Sequence, residues 1–104
     1  MNIVKLTGRT CRPQEKQTNS GKTLTNFGLS VYAGKDKDGK AKYNFVDCRY
    51  FGVVKEKENK EIAGYLAFDS WTDKQTGKPR TKMYVMVQEM KDFVFGNKEE
   101  EIDF

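Results

Sequence analysis

The chain has 104 residues, of which 33% are charged and 37% apolar, with a formal net charge of +4, two cysteines and no histidine. That length allows one domain with one modest core, and no apolar run approaches the length needed to span a membrane. The lack of histidine removes the commonest general base and a favoured metal ligand, and it excludes a Cys-His nucleophile.

Residues 2–8 alternate Ile3, Lys5 and Thr7 against Val4, Leu6 and Gly8, which predicts a first strand running into a basic corner at Arg9 and Arg12. Gly8 and Pro13 mark bends, and residues 14–22 read as a polar loop with an Asn-Ser-Gly turn. Cys11 and Cys48 lie far apart without Cys-x-x-Cys spacing, so neither a metal knuckle nor a redox motif is expected. Free thiols fit a reducing compartment, and strand-like sequence directly after Met1, with no signal peptide, predicts a cytoplasmic protein. Residues 23–33 predict a second strand with Thr25, Phe27, Leu29 and Val31 toward the core and Leu24, Asn26, Gly28, Ser30 and Tyr32 on the other face. Residues 34–42 form a polar hairpin tip carrying Lys35, Lys37, Lys40 and Lys42, either a solvated loop or a flap over a bound strand.

The chain is organised around residues 42–51, Lys-Tyr-Asn-Phe-Val-Asp-Cys-Arg-Tyr-Phe. As a strand it points Val46, Cys48 and Tyr50 one way and Tyr43, Phe45, Asp47, Arg49 and Phe51 the other. Three rings beside an arginine are unusual on a wetted face. Such a row can stack unpaired bases and neutralise their phosphates, or it can pack against another sheet or a partner subunit.

Residues 53–60 are a charged connection too short for a well-packed helix. Residues 61–72 resume the strand pattern, with Ile62, Gly64, Leu66 and Phe68 inward and Ala63, Tyr65, Ala67, Asp69 and Trp71 outward. A second polar hairpin tip covers residues 73–80, and residues 81–95 close the domain with Met83, Val85 and Val87 alternating against Tyr84, Met86 and Gln88, and Phe93 and Phe95 at the end. Five strands with long basic hairpin loops predict an all-β fold, a five-stranded barrel of the oligonucleotide-binding type (OB-fold) over residues 1–95.

Residues 96–104 form a short acidic C-terminal tail with four acids and one lysine, net −3, which leaves the body 18 bases and 11 acids, net +7. A basic globule with an acidic end predicts an anionic ligand for the globule and a separate task for the end. Thr-Gly-Lys-Pro at 76–79 lacks the rest of a Walker motif. Asp47, Asp69 and Asp73 each have a basic residue nearby and no motif joins them, so neither a metal nor a cofactor is expected and the chain reads as a binder, not an enzyme.

Several segments in order resemble bacterial single-stranded-DNA-binding proteins: the opening Asn-Ile-Val-Lys-Leu-Thr-Gly-Arg, Ser-Gly-Lys at 20–22, Asn-Phe-x-Leu at 26–29, Tyr-Phe-Gly at 50–52, Ser-Trp-Thr-Asp-Lys at 70–74 and the final Glu-Glu-Glu-Ile-Asp-Phe. The resemblance implies sequence-tolerant binding of single-stranded DNA, in support of replication, recombination and repair. It sets Phe45, Phe51 and Trp71 where the family stacks bases, all three already outward by alternation, with Tyr43 beside them. Near Gly34, where the family carries another stacking tryptophan, this chain offers Tyr32 or Lys35. Arg9, Arg12, Lys35, Lys37, Arg49, Lys74 and Arg80 become phosphate contacts. The tip, Glu99, Glu100, Glu101, Ile102, Asp103 and Phe104, is similar to a segment with which the family recruits replication, recombination or repair proteins, with Asp103 in place of a proline.

Two departures matter. The family's helix between its third and fourth strands has no counterpart here, and the long linker before the tip is missing, which predicts a trimmed version such as a phage or plasmid encodes. Barrels of this type pair through an exposed strand edge, so residues 2–6 predict a homodimer or homotetramer. Two other readings stay open: an RNA-binding, cold-shock-like barrel, and a primosome-type adaptor that binds mainly protein.

Overall fold

The computed structural model describes residues 1–94 of the chain. Five strands, β1 (Val4–Gln17), β2 (Thr23–Lys35), β3 (Ala41–Phe51), β4 (Asn59–Thr72) and β5 (Pro79–Asp92), close into a barrel in the order β1-β2-β3-β5-β4. All neighbours are antiparallel except β3 and β5, which run parallel over Cys48↔Val85, Arg49↔Met86 and Tyr50↔Val87. Closure leaves few open edges.

Alternation along β2 and β5 puts Phe27, Leu29, Val85 and Val87 inside, where they pack with Cys48 and Ile62; Val4, Leu6, Val46 and Tyr50 lie against this cluster half-buried. Each fully buried aliphatic side chain contributes about 1.5–3 kcal/mol of transfer free energy.

β1 is longer than expected, because residues 14–17 continue it instead of forming a loop. Pro13 interrupts the ladder only at a bulge, where the register shifts between Cys11 and Gln14 and Arg12 takes φ 50°. A bulge is one of the few places in a sheet that tolerates a missing N–H. Gly8 marks a crossing as well as a bend. β1 pairs with β4 up to Arg9 and with β2 from Arg9 onward, and a Cβ on Gly8 would come within 2.4 Å of the Ser30 carbonyl oxygen.

The link from β3 to β4 has no helix, as expected, but it is not merely a charged connection. Val54 plugs the barrel base at 4% exposure. Two buried threonines fasten the link: Thr10 Oγ1 donates to the Lys55 carbonyl at 2.6 Å and accepts from the Glu58 N–H at 3.0 Å, while Thr25 Oγ1 donates to the Gly52 carbonyl at 2.5 Å. Backbone bonds from Lys57 N–H to the Thr10 carbonyl, from Thr10 N–H to the Glu58 carbonyl and from Gly52 N–H to the Thr23 carbonyl complete the attachment.

Phe68, expected inward, is 57% exposed. The β4–β5 ladder runs out to Thr72↔Pro79, beyond the point where β5 leaves β3 at Val85, so Phe68 and its partner Met83 lie on a two-stranded arm with no opposing wall. Correct parity does not bury a side chain where the second layer is absent.

Candidate nucleic-acid interface

Cross-strand partners share a face, and the registers build one outward surface row by row. Across β1, β2 and β3 the rows are Arg9–Ser30–Phe45, Cys11–Gly28–Asp47, Gln14–Asn26–Arg49 and Lys16–Leu24–Phe51. Across β4 and β5 they are Ala67–Tyr84, Asp69–Lys82 and Trp71–Arg80. Phe45, Phe51 and Trp71 are 66%, 54% and 49% exposed. Tyr43 is also exposed and meets Tyr32 edge-on, with ring centroids 5.9 Å apart on the β2–β3 arm.

Ion pairs tie the rows together. Arg49 binds Asp69 and lies over the Tyr84 ring at 3.9 Å, joining β3, β4 and β5, and Lys82 reaches Asp47 at 3.8 Å. The Arg49 hydrogen bond holds the Asp69 carboxyl below its ordinary range and, from the other side, raises the Arg49 guanidinium further. Arg80 pairs with Asp73 at 3.3 Å. Each of the three aspartates considered as a metal cluster therefore faces a base.

The expected phosphate contacts fall into two groups. Arg49 and Arg80 meet carboxylates, whereas Arg9, Arg12, Lys35, Lys37 and Lys74 are exposed with no acidic partner among the described residues. Arg12, thrown outward by the bulge, lies 5.8 Å from the centroid of the Phe45 ring, close enough for a cation–π attraction. The hairpin tips that carry the lysines are held by side-chain caps. Asp36 Oδ1 accepts from the N–H groups of Asp38 and Lys40 at 2.8 and 2.9 Å, and Asp73 Oδ1 accepts from Gln75 N–H at 2.8 Å. The first tip is thus a closed turn.

Between the Phe45 and Phe51 rows is a depression of about 400 Å³ lined by Arg12, Gln14, Lys16, Asn26, Gly28, Asp47, Arg49, Lys82 and Tyr84, among others. An outward face of exposed rings, unpaired cations and an open polar groove suits a flexible anionic strand with flat bases.

The single-strand binding protein family model matches residues 1–93. The chain belongs to that family. A curated member, single-stranded DNA-binding protein 1 of Synechocystis sp., is 30% identical over 99 residues, an alignment covering 86% of this chain and 81% of the relative. Among solved structures, the barrel is similar to that of a Plasmodium falciparum SSB complex with ssDNA, with TM-score 0.72, 16% identity, and coverage of 90% of this chain and 96% of that one. At that identity the likeness shows the shared OB-fold.

Tyr84, Lys82 and Asn26 are members of the face that the sequence reading did not single out. The signal was present, since the alternation that exposed the β3 rings also sets Tyr84 and Lys82 outward on β5. What it lacked was the parallel β3–β5 pairing that brings Tyr84 to Arg49 and Lys82 to Asp47. The acidic tip, residues 99–104, and Phe95 lie outside the described residues.

Proposed function

We propose that this single-strand binding family member is a binder, not an enzyme, and that it holds single-stranded DNA with little sequence preference. Bases stack on Phe45, Phe51 and Trp71, with Tyr43 and Tyr32 extending the path, and Arg9, Arg12, Lys35, Lys37 and Lys74 contact phosphates. Arg49 and Arg80 add positive potential while shaping the surface through their carboxylate partners. The observation that carries the reading is the set of three half-exposed or more exposed rings on one face, interleaved with cations that meet no carboxylate among the described residues. Each stacked base contributes about 1–3 kcal/mol. Titration with oligo-dT should quench Trp71 fluorescence, and Phe45→Ala should weaken binding by about tenfold or more. Equal affinity for duplex DNA of the same length would overturn the reading, and stronger binding of a matched RNA would move it to an RNA-binding role.

The acidic tip serves as the docking segment for replication, recombination or repair proteins, with Ile102 and Phe104 entering an apolar pocket and Glu99, Glu100, Glu101 and Asp103 meeting basic residues at its rim. Likeness to the family's tip supports this. Removal of residues 99–104 should abolish recruitment while leaving DNA binding intact; unchanged recruitment refutes it. A homodimer or homotetramer is proposed through the edge at residues 2–6, of which residues 4–6 pair only with β4 among the described residues. A monomeric mass in solution would rule that out.

A further inference from the structure

Among the described residues, one buried side-chain oxygen or nitrogen has no hydrogen-bond partner: Asn26 Oδ1. The two fully buried threonines show how the rest of the chain treats such groups, since each of their hydroxyls is bonded. A buried carbonyl oxygen without a donor costs free energy and calls for a physical explanation. This oxygen is not in the core. Asn26 belongs to the outward row Gln14–Asn26–Arg49, between the Phe45 and Phe51 rows, and lines the central depression alongside Arg12, Lys16 and Lys82.

The chemistry of a DNA strand limits what can meet this oxygen. Phosphates and the deoxyriboses within a strand present acceptors only, so the N–H donors of the strand all belong to its bases. The surrounding cations attract the phosphates, while an acceptor among them repels phosphate and suits a base edge. Gln14, Lys16 and Arg12 are long, exposed side chains, so their rotamers can open the way to the amide without any movement of the barrel.

We propose that Asn26 Oδ1 accepts a hydrogen bond from a nucleobase N–H, which makes the depression a base-edge pocket within an otherwise stacking-based path. This rests on the single-stranded DNA reading of the same face and adds to it one position where the strand is held by its hydrogen-bonding edge.

The test compares oligo-dT with an oligonucleotide of N3-methylthymidine of equal length, which keeps the ring and the backbone but lacks the base N–H. Wild-type protein should bind the methylated strand about fivefold more weakly. Asn26→Ala should bind the two strands alike, with oligo-dT reduced to the wild-type level for the methylated strand. Asn26→Asp, which keeps an acceptor at the position, should retain the discrimination. Equal binding of the two strands by wild type, as expected if only water meets this oxygen, overturns the proposal; so does full discrimination by Asn26→Ala. If wild type binds neither strand, the DNA-binding reading itself falls, and this inference with it.

Discussion

The two cations most central to the aromatic face, Arg49 and Lys82, are paired with aspartates, and the pairing decides what each can do. Arg49 is held between Asp69 and the Tyr84 ring, so its first role is to fix β3 against β4 and β5. The bond lowers the Asp69 pKa from the ordinary 3.8. A carboxyl whose folded pKa is depressed contributes stability that is present above its unfolded value and lost as pH falls through the folded one. Asp69→Asn should therefore lower the thermal midpoint at pH 7, and the gap from wild type should close as the pH drops below about 3.8; a gap that persists at low pH would show that the ion pair is not its source. The pair is partly exposed, so the effect is modest. Cys48 is a contrasting case. Burial, with Asp47 and Cys11 adding to it, pushes its thiol up to about 12, which keeps it neutral as a packing residue. The outward residues of β3 were legible from alternation alone, but the partners of Arg49 were not, because Asp69 and Tyr84 are distant in sequence.

At the level of elements, the link between β3 and β4 is short and has no helix, and its attachment to the barrel is what holds it. Val54 fills the base, and Thr10 and Thr25 fasten the chain around it. Thr10→Val keeps the volume and removes the hydroxyl that bonds both Lys55 carbonyl and Glu58 N–H. It should cost about 2 kcal/mol and lower the midpoint by roughly 10 °C. Thermal unfolding followed by circular dichroism measures this, and a shift within error of wild type would mean that the link is held by its backbone bonds alone. Oligo-dT binding should survive at temperatures where the variant is folded, since Thr10 faces away from the rings. The absence of a helix was readable from the length and charge of residues 53–60. The stapling was not, since nothing in the local sequence around Thr10 announces a partner 45 residues away.

On the scale of the whole molecule, the division of the cations into those paired and those unpaired among the described residues makes the electrostatics quantitative. If Arg9, Arg12, Lys35, Lys37 and Lys74 carry the phosphate contacts, the logarithm of the binding constant should fall against the logarithm of salt concentration with a slope of about −3.5. Participation of Arg49 and Arg80 as well would steepen it to about −5. A slope shallower than about −1 would mean that phosphates contribute little and that the basic body serves another purpose. Fluorescence titration at several salt concentrations distinguishes the three outcomes.

The local pattern of the chain determined the number of strands, their parity and the outward placement of Phe45, Phe51 and Trp71, because alternation is a property of consecutive residues and survives in any sheet that contains them. Tertiary structure alone decided where parity translates into burial. Phe68 has inward parity and is exposed because its arm extends past the barrel wall, and residues 14–17 join β1 because a bulge absorbs Pro13. It also decided which cations are paired and which oxygen is left without a donor, since ion pairs and hydrogen bonds between strands depend on register and closure, and these are set by contacts far apart along the chain.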